Sequence, residues 1–174
     1  MKKYFVIFVA VAAIFFSSAN VSAQRYAFVD MEYIMSNIPA YEAAQEQLNQ
    51  ASEQWEQEIQ SVYAEVEKLY KNYQKESVFL SGEMKTQREN EIIGLENRAK
   101  QLQRQYFGPE GELVKRQEAL LQPIQEKINE AIRSVADRDN LDAVFDMAGN
   151  MGILYVKPRQ NISDEILREL GFSN

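Results

Sequence analysis

Apolar and polar residues recur along the middle of the chain with the spacing of an amphipathic helix. From residue 41 onward, apolar side chains return in steps of three and four and so form one continuous seam. The members of this seam are Tyr41, Ala44, Leu48, Ala51, Trp55, Ile59, Val62, Val66, Leu69 and Tyr73. Such steps keep a single face of a helix apolar over many turns. The pattern therefore predicts a long helix that buries one face.

A second seam with the same steps begins after Ser81-Gly82, where the first pattern stops. It consists of Ile92, Leu95, Ala99, Leu102 and Tyr106. A chain reversal at Ser81-Gly82 would bring the two seams together in register. The predicted pairs are Tyr73 with Ile92, Val66 with Ala99, Val62 with Leu102 and Ile59 with Tyr106. The sequence therefore predicts an antiparallel helical hairpin whose tip lies at 81–82.

The returning arm of this hairpin contains two interruptions. One is the run Phe107-Gly108-Pro109-Glu110-Gly111, and the other is Pro123. Proline inside a helix removes a hydrogen bond and clashes with the preceding turn, at a cost of about 3 kcal/mol, so kinks or breaks are expected. In the predicted register Trp55 faces the first interruption. Trp55 would fill the space beside a kink, and a compatible interpretation is that the arm flexes at hinges. The candidate hinge residues are Gly108, Pro109, Gly111 and Pro123.

Three short runs of β-favouring residues flank the hairpin, at 25–30, 141–146 and 153–156. Gly149 and Gly152 predict a tight turn between the last two runs. A sheet of three short strands is too small and too apolar to stand alone, and its edges are open to pairing. We therefore expect self-association through the sheet. The expected interface residues are Tyr26, Phe28, Val144, Ile153 and Tyr155.

A short helix is predicted near the C-terminal end. Ser163 offers an N-cap, acidic residues follow it, and Gly171 closes the run. The predicted fold is α+β and mainly α: a long antiparallel helical hairpin, or coiled-coil arm, attached to a small three-stranded sheet, with a short C-terminal helix. In this division, residues 24–38 and 124–174 form the oligomerising body, and residues 39–123 form the arm.

The first 23 residues have the order of a cleavable secretory signal. Lys2 and Lys3 precede an apolar run from Tyr4 to Phe16, and small residues end the segment at Ala23. The alternative is a membrane anchor, but the apolar run is shorter than the roughly 20 residues that span a bilayer. We therefore expect export to the periplasm.

Composition excludes several classes of function. Two of the 19 Lys and Arg residues lie in the predicted signal and none of the 26 acidic residues does, so the mature net charge is 17 minus 26, or −9. An acidic surface disfavours binding to nucleic acid and to anionic lipid. The chain has no cysteine and no histidine, which removes thiol chemistry, the commonest general base and the commonest transition-metal ligand. We expect no catalytic residues, no cofactor and no metal site.

The hairpin carries more apolar surface than its seam requires. Tyr63 and Tyr70, seven residues apart, form a second stripe, and Phe79, Leu80 and Met84 make the tip apolar. Packing beside the seam and closure of the tip would explain these residues. Alternatively, all five contact other polypeptides, because aromatic and methionine side chains adapt to varied partners.

The order of strand, hairpin, two strands and capped helix resembles the Skp (OmpH-like) family over essentially the whole mature chain. The runs Ala27-Phe28-Val29-Asp30 and Ala143-Val144-Phe145-Asp146 add to the resemblance. It implies a periplasmic, ATP-independent holdase chaperone. It also implies a homotrimer with a β-barrel-like body, whose hairpin arms surround a cavity for unfolded outer-membrane proteins.

The acidic charge departs from the family pattern, because its best-known members are strongly basic. Binding to lipid or lipopolysaccharide is therefore not carried over to this chain. A function of a different class also remains open. In that alternative, the protein is a structural coiled-coil adaptor of the cell envelope that bridges fixed, folded partners.

Overall fold

The computed structural model describes residues 24–149 and 152–172, so the predicted signal lies outside the described residues. Its elements are, in chain order, strand β1 (Tyr26–Val29), helix α1 (Met31–Ser36), helix α2 (Pro39–Glu76), helix α3 (Gly82–Phe107), helix α4 (Glu112–Arg138), strand β2 (Ala143–Asp146), a 3-10 helix (Pro158–Gln160) and helix α5 (Ser163–Glu169). The predicted fold class is confirmed: the chain is mainly helical, with a long hairpin, a small sheet and a short C-terminal helix.

The hairpin is formed by α2 and α3, which are joined by residues 77–81. Its buried seam residues are Ala44, Leu48, Ala51, Ile59, Val62, Val66, Ile92 and Ala99. The Tyr106 hydroxyl donates to Glu58 Oε2 at 2.7 Å, and nearer the tip the Tyr73 hydroxyl donates to Glu89. These contacts agree with the predicted register to within about one helical turn.

A tight turn separates α3 from α4 at residues 108–111, where the glycines and proline predict an interruption. The Gly108 N–H donates to Arg104 O, and the Gly111 N–H donates to Gly108 O, both at 2.9 Å. A Cβ atom at Gly108 would lie 2.3 Å from Arg104 O, and one at Gly111 would lie 2.7 Å from Tyr106 O. Because only glycine fits such close backbone approaches, both positions require it.

Of the kink or break expected at Pro123, the break does not occur, and the kink stays a prediction. Helix α4 runs through it without ending, from Glu112 to Arg138. The proline removes one backbone hydrogen bond, but α4 also packs against α2, α3 and α5. These contacts hold the helix together on both sides of Pro123. The proline also borders an apolar cavity of about 330 Å³ that Phe172 helps to line.

The sheet has two parallel strands in the described part of the chain, rather than the predicted three. β1 pairs with β2 so that Phe28 lies opposite Phe145. Parallel strands need a long crossover connection, and here helices α1 to α4 supply it. The other edge of β1 is occupied by Asn161, which bridges to Phe28, while the Ile162 N–H donates to Phe28 O at 2.9 Å.

The predicted third strand, at 153–156, has no regular secondary structure in the described chain, and part of its predicted turn lies outside the described residues. A two-stranded hairpin gains little unless one of its faces is buried. Leu154 is 99% exposed and Tyr155 is 77% exposed, so the chain offers neither side chain an apolar face. This explains why the run does not extend the sheet within one copy.

The hydrophobic core joins the sheet to the segment that enters the arm and to the part of α4 that leaves it. It consists of Val29, Ile34, Ile38, Ile128, Ala131, Val135, Ile166 and Leu167. Helix α5 begins at Ser163, which is a buried helical residue and not the predicted N-cap. Its hydroxyl accepts from the Asp30 N–H at 2.8 Å and donates to Asn161 Oδ1 at 2.7 Å, which ties α5 to the end of β1. Gly171, with φ of 85°, closes the helix as predicted.

Candidate functional site

An aromatic cluster covers the outer face of the sheet. Along β1, Ala27 and Val29 are buried, whereas Tyr26 and Phe28 alternate onto the opposite face. The Phe145 ring of β2 lies 5.7 Å from the Phe28 ring and 6.5 Å from the Tyr26 ring, measured between centroids. Tyr26 and Phe145 are both exposed in the single chain. Such an apolar cluster is typical of association surfaces.

Val144 lies on the other face of β2, where it packs against the hydrophobic core. Val144 therefore faces the core and not the outer face of the sheet, and Phe145 lies in the outer cluster instead. Phe145 was missed because two neighbouring apolar residues in a short strand do not reveal which one faces inward. The register with β1, which sets Phe145 beside Phe28, decides the question.

A second exposed apolar segment follows β2. Leu154 and Tyr155 are almost fully exposed, and Ile153 is half-buried. Leu154 was not among the predicted interface residues. Strand alternation placed it on the face opposite Ile153 and Tyr155. Because the strand is absent from the described chain, Leu154 and Tyr155 are exposed together.

Asp30 ends the run 27–30 and Asp146 ends the run 143–146, and both accept hydrogen bonds from the first turn of helix α1. Asp30 Oδ1 accepts from the Tyr33 N–H at 2.9 Å, and Asp146 Oδ1 accepts from the Met31 N–H at 3.2 Å. The first N–H groups of a helix have no partner within the helix, so carboxylates at this end stabilise it. Asp30 and Asp146 therefore have structural roles, and these roles explain why both runs end in aspartate.

The predicted client-contact residues lie in two separate patches on the arm. Tyr63 and Tyr70 are 41% and 51% exposed and lie about 10 Å apart along α2. Phe79 is 87% exposed at the tip, Met84 is also exposed, and Leu80 is half-buried. The structure thus brings the tip residues together around the 77–81 turn and leaves the tyrosines on the side of the helix.

Aromatic packing fills the space beside the turn at residues 108–111. The Trp55 ring stacks on the Tyr106 ring with centroids 4.9 Å apart, and it meets the Phe107 ring edge-on at 6.2 Å. The hydrogen bond to Glu58 raises the pKa of Tyr106, because the neutral hydroxyl is the form that donates. Trp55 therefore occupies the position that the sequence predicts. That the turn acts as a hinge stays a prediction.

A groove of about 340 Å³ lies between α2 and α3 beside this packing. Its lining residues are Glu56, Ile59, Gln60, Tyr63, Gln103 and Phe107. Ile59 is buried, Phe107 is half-buried and Tyr63 is exposed, so the groove combines an apolar interior with a solvent-facing aromatic ring. One carboxylate and two amides supply its polar groups.

Residues 24–149 and 152–172 lack two kinds of feature. Among them, no group of acidic side chains is placed to hold a metal ion. Nor does this part of the chain contain a helix with the length and apolar character needed to cross a membrane.

A coiled-coil arm is joined to a small α/β body, and both carry exposed aromatic side chains. Residues 25–170 match the family model described as outer membrane protein (OmpH-like). The chain therefore belongs to the OmpH-like family, whose members are chaperones, and this confirms the prediction that it is not an enzyme.

Two relatives illustrate the similarity. The chain is 22% identical over 159 residues to the chaperone protein Skp of Yersinia enterocolitica, across 88% of this chain and 90% of that protein. A crystal structure of an OmpH-like protein from Caulobacter crescentus matches with a TM-score of 0.69 at 11% identity, across 86% of this chain and 85% of that chain. The second comparison shows a shared fold.

Proposed function

We propose that this protein is an ATP-independent periplasmic holdase that binds unfolded outer-membrane proteins between its arms and prevents their aggregation. The observation that carries the proposal is the exposure of Tyr63, Tyr70 and Phe79 on an arm that already has a buried seam. Exposed aromatic side chains offer many weak contacts to varied sequences. Membership in a chaperone family supports the same function.

A holding cavity needs more than one arm, so the proposal includes self-association through the body. The aromatic cluster on the sheet and the segment after β2 are the surfaces that support it. The interface residues we propose are Tyr26, Phe28, Phe145, Ile153, Leu154 and Tyr155. Three copies is the number that the resemblance to the family implies. The 153–156 run would then complete its strand pairing with a neighbouring copy.

The proposed location is the periplasm, on the basis of the signal-like first 23 residues and of the family. The net charge of the mature chain is negative, so nucleic acid is not among the proposed partners. Lipid binding is not part of the proposal. ATP independence accords with an exported protein, since no nucleotide is supplied outside the cytoplasm.

The direct test is aggregation of denatured outer-membrane proteins. Several unrelated clients are diluted from denaturant into buffer with the purified mature protein and no nucleotide, and light scattering is followed. We expect scattering to fall for each client at near-stoichiometric protein. A Phe79→Ser variant should suppress less, while Thr86→Ser on the same helical tip should match the unaltered protein.

Two outcomes would count against holding. If no client stays soluble, the chaperone function is wrong for this chain. If clients aggregate but a single folded envelope protein co-purifies at fixed stoichiometry, the adaptor function replaces it.

A further inference from the structure

We propose that the groove between α2 and α3 selects client segments in which a lysine or arginine lies close to an aromatic residue. The inference rests on the proposed function and names the part of a client that the arm prefers. Ile59, Tyr63 and Phe107 provide apolar contact for a ring. The groove volume of about 340 Å³ falls within the range of clefts that hold small organic groups.

The groove lies on an acidic stripe of α2. Steps of three and four residues connect a row of exposed side chains on one face of this helix: Glu42, Glu46, Asn49, Glu53, Glu56, Gln60, Tyr63, Glu67 and Tyr70. Glu67 pairs with Lys71 at 2.5 Å. In the described residues, the structure shows no ion-pair partner for the other four glutamates. Their charges therefore face solvent, and Glu56 is the one of the four that borders the groove.

The charge is concentrated in this part of the arm. Seven acidic residues and no lysine or arginine occur from Pro39 to Glu67. By contrast, residues 68–88 around the tip contain five basic and two acidic residues. Like charges three or four residues apart destabilise a helix, so helix stability does not explain the stripe. Charge complementarity with a basic segment does.

The geometry fits an extended polypeptide. Glu56 and Tyr63 are seven residues apart and so lie about 10 Å apart along the helix. Residues two or three positions apart in an extended chain span about 7 to 10 Å. A basic side chain can therefore meet Glu56 while a nearby aromatic ring enters the groove. An arginine or lysine can also lie over the face of Tyr63, an arrangement that favours cations.

The test uses the full mature protein and three labelled, unstructured peptides of equal length. The first carries tryptophans flanked by lysines, the second has the lysines replaced by glutamates, and the third has the tryptophans replaced by serines. Binding is measured by fluorescence anisotropy at low and high salt. We expect the first peptide to bind about tenfold more tightly than the others at low salt, because each exposed charge pair contributes modestly. Salt should reduce this preference.

The protein variant is Glu53→Gln with Glu56→Gln, and the matched control is Glu118→Gln with Glu130→Gln on α4. Both pairs change net charge equally. We expect only the first pair to reduce the preference for the lysine peptide, by about threefold or more.

Three results would overturn the inference: equal affinity for the lysine and glutamate peptides, equal loss in both variants, or no peptide binding at all. The aggregation assay separates this failure from that of the proposed function. If the protein still holds clients, only charge selection is wrong.

Discussion

Removing the Trp55 ring tests whether aromatic packing stabilises the turn at residues 108–111. The variant Trp55→Ala loses the stacked contact with Tyr106 and the edge contact with Phe107. Truncating a buried Trp typically costs about 3 to 5 kcal/mol. Trp55 is half-buried, so we expect a loss of about 2 to 3 kcal/mol, of which the aromatic pairs supply about half.

The loss should be local, because Trp55 lies outside the hydrophobic core that joins sheet and arm. Amide hydrogen exchange measures such local opening. We expect amides near residues 51–59 and 102–107 to exchange about 30- to 150-fold faster, since about 1.4 kcal/mol corresponds to a factor of ten. Amides around Ile34, Ile128 and Ile166 should keep their protection.

The control is Trp55→Phe, which keeps a ring against Tyr106 and should lose less than half as much protection. Unchanged exchange in the arm of Trp55→Ala would refute the reasoning. So would an equal loss of protection in the body, because the packing would then not be local to the turn.

Three further predictions concern assembly, arm shape and the C-terminal helix. Changing Leu154 and Tyr155 together to Ser should shift the sedimentation coefficient toward that of a smaller species while helicity is retained; unchanged sedimentation would exclude this segment from the interface. Replacing Pro109 and Pro123 with Ala should straighten and stiffen the arm, and an unaltered distance distribution in small-angle scattering would count against the hinges. Ser163→Ala should lower the free energy of unfolding by about 1 to 3 kcal/mol in urea denaturation, because the Asp30 N–H loses its acceptor; Ser134→Ala, at an exposed hydroxyl, should cost less.

The distribution of charge on the arm indicates which client segments the proposed chaperone would prefer. The total of −9 for residues 24–174 does not show where the negative charge lies. The structure places Glu42, Glu46, Glu53 and Glu56 on one exposed face and puts the last of them at the edge of an apolar groove. The position of the negative charge thus leads to the hypothesis that the arm prefers basic segments of a client.

The arm can be predicted from the amino-acid sequence alone. A helix repeats every 3.6 residues, so the seam from Tyr41 to Tyr73 and its continuation after Ser81 are visible without any knowledge of distant contacts. The turn at residues 108–111 was equally visible, because glycine and proline act on their own backbone. The exposed residues Tyr63, Tyr70 and Phe79 followed from the same periodicity.

The arrangement of the body depends on contacts between residues that are far apart in the sequence. The Arg25 N–H donates to Asp142 Oδ2 at 2.8 Å across 117 residues of sequence, and contacts of this range determine the register of β1 with β2. That register turns Phe145 outward and Val144 inward, and Asn161 bridges the other edge of β1. Short strands carry too few residues to specify a face or a partner, so these choices depend on the packing of the whole chain.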